Sequence, residues 1–147
     1  MIKQLITLTI IIALTFSCKN NTDKKVTTKK TTINNPYLGS WSRDFQMSSE
    51  VTATVTYTFF NDSIQYQMKG PMNLNYTIKK DTFLIKENKW IGKKDQDTYA
   101  IFIKKDTEKS ITLLKMKVKD KLSAIKMPFP SDTARSKFSS WNTYNKK

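Results

Sequence analysis

The stretch VTATVTYTF, residues 51–59, decides the fold class of this chain. Valine, alanine, tyrosine and phenylalanine occupy every second position, and threonines fill the positions between them. Strict alternation of this kind, in β-branched and aromatic residues, predicts a β-strand with one buried and one wet face. The chain is therefore expected to be built on a sheet that covers a core.

Further strand patterns follow this stretch at intervals of roughly ten residues. They are separated by turn signals, among them Asn61-Asp62, Lys69-Gly70-Pro71 and Lys79-Lys80-Asp81. No crossover helices lie between them, which argues against a parallel sheet and for an antiparallel up-and-down meander, closed as a barrel or packed as a sandwich. The predicted strands are residues 64–68, 72–78, 82–86, the stretch around Trp90, 98–104, 110–118 and 122–127.

The C-terminal tail shows a different period. Ser131-Asp132 offers a helix N-cap, and Ala134, Phe138 and Trp141 then recur at helical spacing, which predicts a short C-terminal helix. Several strands are apolar on both faces, for example where Phe102 lies between two isoleucines. We expect Phe138 and Trp141 to cover part of the outer face, and the alternative is a surface for a partner.

The segment Leu38-Gly39-Ser40-Trp41 resembles the Gly-X-Trp entry of lipocalins. Together with residues 57–63, 76–82 and 111–113, it is similar to the lipocalin-like domain of small bacterial lipoproteins, over most of residues 37–127. The resemblance implies an all-β barrel of about eight strands, closed at one end by Trp41, with a cavity for a small apolar molecule. It also implies a basic residue late in the barrel that packs over the tryptophan, for which Arg135 is the nearest candidate.

The inward side chains of such a barrel would line its interior. An eight-stranded barrel is either filled by its own side chains or holds one small ligand, and the sequence leaves both open. The expected lining residues are Val55, Tyr57, Tyr66, Met68, Leu74, Tyr76, Ile101 and Ile111.

The N-terminus has the layout of a secretory signal. Lys3 precedes an apolar run from Leu5 to Phe16, which is too short to span a bilayer comfortably. The segment from Leu14 to Cys18 resembles a bacterial lipobox, which implies removal of residues 1–17, acylation of Cys18 and attachment to a membrane. Lys19 then permits delivery to the outer membrane, by resemblance to lipoprotein sorting in bacteria with two membranes. The alternative is an ordinary signal peptide with a chance cysteine near its end.

Residues 18–36 form the expected connection between this anchor and the domain. Positions 19–36 hold five lysines, five threonines and four asparagines, with only Val26 and Ile33 as aliphatic residues. Such a segment cannot bury enough apolar surface to offset its ordering entropy, so it is predicted to be a disordered tether. The remaining residues, 37–147, suffice for one domain.

Residue content argues against most catalytic chemistry. The chain has no histidine and one cysteine, and its three glycines form no phosphate-binding loop. The carboxylates lie mostly in turns beside lysines. We therefore expect no catalytic residue, no metal and no cofactor, and the protein is not expected to be an enzyme.

Positive charge is the other marked feature, since residues 37–147 carry 20 Lys and Arg against 11 Asp and Glu. Lys115, Lys117 and Lys119 alternate with apolar residues and so share one strand face. That face could attract an anionic envelope component or an acidic protein, or it could merely protect a strand edge. Export to the envelope argues against nucleic acid as a partner.

Taken together, these patterns predict a lipid-anchored, non-enzymatic barrel of the bacterial cell envelope that binds a small apolar or amphipathic ligand. The alternative is a protein-protein interaction module, such as an inhibitor or immunity protein, that uses its loops and a basic face. Trp90, in a loop region of the predicted structure, and the doubly apolar strands favour that alternative.

Overall fold

The computed structural model describes residues 35–136 and 139–147. The predicted signal, Cys18, the tether up to residue 34 and Phe138 lie outside these described residues. Within them, the strands are β1 (Gly39–Ser48), β2 (Val51–Phe59), β3 (Ser63–Lys69), β4 (Leu74–Leu84), β5 (Lys89–Lys94), β6 (Asp97–Lys105), β7 (Ser110–Val118), β8 (Arg135–Ser136), β9 (Ser139–Ser140) and β10 (Asn142–Lys146). One α-helix, α1 (Lys121–Lys126), and one 3-10 helix (Ile85–Glu87) complete the described elements.

Eight of these strands form a closed antiparallel barrel. Each of β1 to β7 is hydrogen-bonded to its neighbour in the sequence, and β10 closes the barrel by pairing with both β7 and β1. The short strands β8 and β9 pair only with each other. The expected all-β barrel of about eight strands with one short helix is confirmed.

The helix does not lie where the sequence pattern put it. Residues 122–127 were predicted as a strand, but residues 121–126 form α1, and the predicted helix after Ser131 is replaced by β8, β9 and the start of β10. The carboxylate of Asp120 caps α1 by accepting a hydrogen bond of 2.7 Å from the backbone N–H of Ser123. The tail instead gains a sheet ladder, in which residues 142–145 pair with β7.

The predicted turn at residues 79–81 is also wrong. β4 runs through this segment without a break and ends at Leu84, and its register against β5 shifts between Lys80 and Thr82. The polar triplet therefore marks an irregularity within one long strand, because an extra residue in a paired strand bends it without ending it.

Alternate residues of the strands point into the barrel. The interior cluster holds, among others, Trp41, Val55, Tyr57, Phe59, Trp90, Ile101 and Tyr144. Trp90 is fully buried in β5 and does not lie in a loop. Every second residue of the opening stretch, from Ala53 to Phe59, is buried, as the alternation predicts.

A second apolar cluster lies on the outside of the barrel. It contains Ile91, Ala100, Phe102 and Leu114 together with Ala124 of α1, all fully buried. Trp141 packs against this cluster and stacks on Phe129 at a centroid distance of 5.6 Å. The prediction that Trp141 covers strands that are apolar on both faces is confirmed, and α1 covers part of the same outer surface.

No helix within the described residues is long and apolar enough to cross a membrane.

Candidate ligand cavity

The barrel interior is filled at one end and hollow at the other. A cavity of about 800 Å³ extends from Tyr57 toward the end of the barrel formed by Phe45 and Met68. This volume is typical of sites for small molecules. The cavity reaches the surface, because exposed residues of the tail form part of its wall. The lining residues are Arg43, Phe45, Val55, Tyr57, Tyr66, Met68, Lys115, Asp132, Thr133, Ala134, Arg135, Ser140, Trp141, Asn142 and Tyr144.

The tail reaches the cavity where the barrel wall is incomplete. β10 pairs with β1 only at Trp41 and Ser42, so residues 43–48 of β1 have no paired strand on that side among the described residues. Residues 132–135 and 140–142 line the cavity in this region. The wall there is made of tail side chains, so a ligand can be contacted from outside the barrel strands.

Four of the predicted lining residues line this cavity: Val55, Tyr57, Tyr66 and Met68. Tyr76 is half-buried in the interior cluster and touches the cavity residue Lys115. Ile101 and Ile111 are fully buried in the filled part of the interior. Leu74 is paired with Met68 but 45% exposed. The interior is thus partly filled by its own side chains and partly open.

Trp41 lies in the filled part of the barrel, inside β1, although the sequence pattern put it just before the first strand. Trp41 is 2% exposed, and its Nε1 donates a hydrogen bond of 2.8 Å to the carbonyl oxygen of Tyr37. The Nζ atom of Lys146 lies 5.6 Å from the Trp41 ring. Lys146, and not the predicted Arg135, is thus the basic residue found over this ring, whereas Arg135 lies in β8 and lines the cavity.

The side chain of Lys115 lies in the cavity, although the lysines of β7 were expected on the outer face of the barrel. The lysines of β7 do alternate with Leu114, Met116 and Val118, but these apolar residues pack against the outer cluster. Lys115 consequently points inward and donates a hydrogen bond to the hydroxyl of Tyr76. Lys117, further along β7, forms an ion pair with Asp97 at 2.7 Å.

Aromatic rings surround the Lys115 ammonium group. Its Nζ atom lies 4.6 Å from the centroid of the Tyr66 ring, 5.2 Å from that of Tyr76 and 5.7 Å from that of Tyr99. Ring faces stabilise a cation, but they do not neutralise its charge. Burial lowers the pKa of Lys115 to about 8, and the nearby charge of Lys94 acts in the same direction.

Arg43 is the second cation of the cavity. Its guanidinium carbon lies 5.1 Å from the Phe45 ring centroid and 5.7 Å from that of Tyr144. Its Nε atom is buried and has no hydrogen-bond partner among the described residues. A buried donor without a partner is uncommon and costly, so this atom is a candidate contact for a ligand.

A row of tyrosines connects the two cations. Tyr57 makes edge contacts with Tyr144 and with Tyr66, each at a centroid distance of 5.2 Å, and Tyr66 stacks on Tyr76 at 4.8 Å. Burial raises the pKa of Tyr144 to about 12, although Arg43 opposes the rise, and burial raises the pKa of Tyr57 as well. These hydroxyls therefore stay protonated at neutral pH and can donate hydrogen bonds to a ligand.

Carboxylates are scarce around these cations. Asp132 is the only acidic residue of the cavity lining, and it forms an ion pair with Lys104. Within the described residues, neither Arg43 nor Lys115 forms an ion pair, and no group of three potential ligating side chains could hold a metal ion. The cavity combines an aromatic wall with uncompensated positive charge.

Sequence reasoning missed Arg43 and Tyr144. The signal for Arg43 was present, because Trp41, Arg43 and Phe45 alternate with polar residues in the same way as residues 51–59. Tyr144 had no such signal, since its segment is short and polar. Its inward orientation depends on the pairing of β10 with β7.

Comparison with known proteins gives no family assignment: no family model, no curated protein and no solved structure matches this chain. The residues of the cavity therefore carry the functional interpretation.

Proposed function

We propose that this protein is a lipid-anchored lipoprotein of the bacterial envelope whose barrel binds a small amphipathic molecule, without catalysing a reaction. The observation that carries the proposal is the cavity of about 800 Å³ that opens to the surface between the barrel interior and the tail. Protein interiors are otherwise packed to high density, and sites for small molecules are clefts or cavities of this size.

The lining supports an amphipathic ligand in preference to a purely apolar one. Phe45, Val55 and Met68 offer apolar surface near the open end. Tyrosine hydroxyls and two cations lie beside them. Polar and charged groups placed among apolar and aromatic side chains allow a pocket to orient an amphipathic ligand.

Membrane attachment through Cys18 and residence in the outer membrane remain part of the proposal on the strength of the lipobox-like segment alone. The alternative, a protein-protein interaction module, has lost the two features that favoured it. Trp90 is fully buried inside the barrel, and the doubly apolar strands are covered by α1 and the tail.

Native mass spectrometry of the full chain, extracted from membranes in detergent, tests the binding proposal. We expect the wild type to retain a small molecule and the cavity-filling variant Val55→Phe to lose it. The matched control is Thr52→Phe, which places the same side chain on the exposed outer face of the same strand. Absence of a retained molecule from the wild type, together with failure of all the probes described below to bind, would show that the cavity is not a ligand site.

A further inference from the structure

We propose that the cavity recognises its ligand through an anionic oxygen group, a carboxylate or a phosphate, which the charges of Arg43 and Lys115 both attract. Ligand binding in the cavity, the function proposed above, is a premise of this assignment. The experiment below is designed so that failure of the premise and failure of the anion assignment give different results.

The two cations have unused donor capacity. Lys115 has three N–H donors, and its hydrogen bond to Tyr76 uses one of them. Arg43 has five N–H donors, and its buried Nε lacks a partner among the described residues. Both side chains line the same cavity, so each can donate strong hydrogen bonds to a ligand there.

The two cations border one continuous row of rings. The ring contacts run from Arg43 to Tyr144, Tyr57, Tyr66 and Lys115, with successive distances of 5.7, 5.2, 5.2 and 4.6 Å. An anionic group on a ligand lying along these rings is therefore attracted by both cations.

A ligand without an anionic group would bind at a cost in free energy. An apolar molecule would displace water from Arg43 and Lys115 without replacing its hydrogen bonds, which is unfavourable for buried charges. A cation would be repelled by both side chains and by the exposed Arg135 at the cavity wall. An anion offsets the desolvation through charge-assisted hydrogen bonds. Arginine forms such bonds in pairs to both carboxylate and phosphate groups.

The probes are four compounds that share one body and differ in the end group: 4-phenylbutyrate, 4-phenylbutyl phosphate, 4-phenylbutanol and 4-phenylbutylammonium. The full lipidated chain is held in nanodiscs of zwitterionic phospholipid at pH 7 with [¹³C]methyl methionine. Titrations are followed at the methyl signal of Met68, which lines the cavity. That signal separates binding in the cavity from partition into the bilayer.

We expect at least one anionic probe to bind about tenfold more tightly than the alcohol, as charge-assisted hydrogen bonds would provide. The ammonium compound should bind more weakly than the alcohol. The stronger of the two anions identifies the head group as carboxylate or phosphate. Equal affinity of the alcohol and both anions would overturn the anion assignment and leave the proposed function standing, whereas no response of Met68 to any probe would contradict the proposed function itself.

Variants assign the effect to the two residues. Arg43→Gln and Lys115→Gln should each reduce the affinity for the preferred anion about tenfold and leave that for the alcohol within about twofold. Retained alcohol binding also shows that each variant is folded. The matched control Lys119→Gln removes an exposed charge next to β7 and should leave both affinities within about twofold of the wild type. An equal loss in Lys119→Gln would mean that overall charge, and not the two cavity cations, attracts the anion.

Discussion

The Nζ atom of Lys115 lies 4.6 Å from the centroid of the Tyr66 ring, inside the barrel, and forms no ion pair with any described carboxylate. A charged group held in this way is more costly in the folded state than in water. Natural proteins often keep such costly groups where they are needed for binding.

Replacing Lys115 by an apolar side chain should stabilise the protein. In the folded protein, burial lowers the pKa of Lys115 from 10.5 to about 8. Below pH 8 the Lys115 ammonium group is therefore charged, and its burial destabilises the folded state. Lys115→Met should raise the free energy of unfolding at pH 7 by about 2 kcal/mol, as judged from urea denaturation. A variant that is less stable than the wild type would show that the lysine supports the fold.

The stability difference should also depend on pH. Between pH 8 and 9.5 the folded wild type loses the Lys115 proton while the unfolded chain keeps it, so wild-type stability rises with pH relative to Lys115→Met. The tyrosines around Lys115 have raised pKa values and stay neutral in this window. Urea denaturation at both pH values measures the difference in the free energy of unfolding between Lys115→Met and the wild type. This difference should become smaller as the pH rises.

Anion binding should weaken in the same pH range. The anionic probe needs a protonated Lys115, and Tyr66, Tyr76, Tyr99 and Lys94 are the other titratable groups that influence it. We expect 4-phenylbutyrate to bind about tenfold more weakly at pH 9.5 than at pH 7. Binding of 4-phenylbutanol should stay constant, and Lys115→Gln should remove the pH dependence. A wild-type affinity for the anion that does not change with pH would exclude Lys115 from the contact.

Lys89 should be a purely structural lysine. It is 1% exposed, and its Nζ donates hydrogen bonds of 2.8 and 2.7 Å to the carbonyl oxygens of Ile125 and Met127 at the end of α1. Lys89→Met leaves these oxygens without their donor and should reduce the free energy of unfolding by about 3 kcal/mol. Glu87, its ion-pair partner, is 54% exposed, so Glu87→Gln should change stability by less than about 1 kcal/mol. Similar losses in both variants would assign the stabilisation to the ion pair instead.

The lipid anchor can be tested apart from the barrel. Radiolabelled fatty acid should be incorporated into the wild type and into Ser17→Ala, which keeps a small residue before the cysteine, but not into Cys18→Ala. Equal labelling of the Cys18→Ala variant and the wild type would show that Cys18 is not the acylated residue. The cellular fraction that contains the labelled protein then reports the membrane in which it resides.

The barrel could be predicted from the sequence because its strands carry their own signal. Residues 51–59 and 110–118 form strands with the predicted bounds, since alternation specifies a strand, and in residues 51–59 it also specifies the buried face. Residues 122–127 could not be assigned in this way, because a short apolar run fits a strand or a helix equally well. The cap supplied by Asp120 and the burial of Ala124 favour the helix α1 at these residues.

The cavity could be predicted only in part. Val55, Tyr57, Tyr66 and Met68 were expected in the lining because they occupy the apolar positions of their strands. Lys115 was assigned to the wrong face, since the alternation in β7 shows that the lysines share a face but not which face is buried. The outer face of β7 is covered by α1 and the tail, and those long-range contacts turn the lysine inward.

The most direct test of ligand binding in the cavity is a crystal structure of the full chain with 4-(4-bromophenyl)butyrate, located by the anomalous signal of bromine. We expect a bromine peak inside the barrel near Val55 and Met68, with carboxylate oxygens within hydrogen-bond distance of Arg43 or of Lys115 Nζ. A bromine peak only on the outer surface, or no peak at saturating ligand, would contradict ligand binding in the cavity.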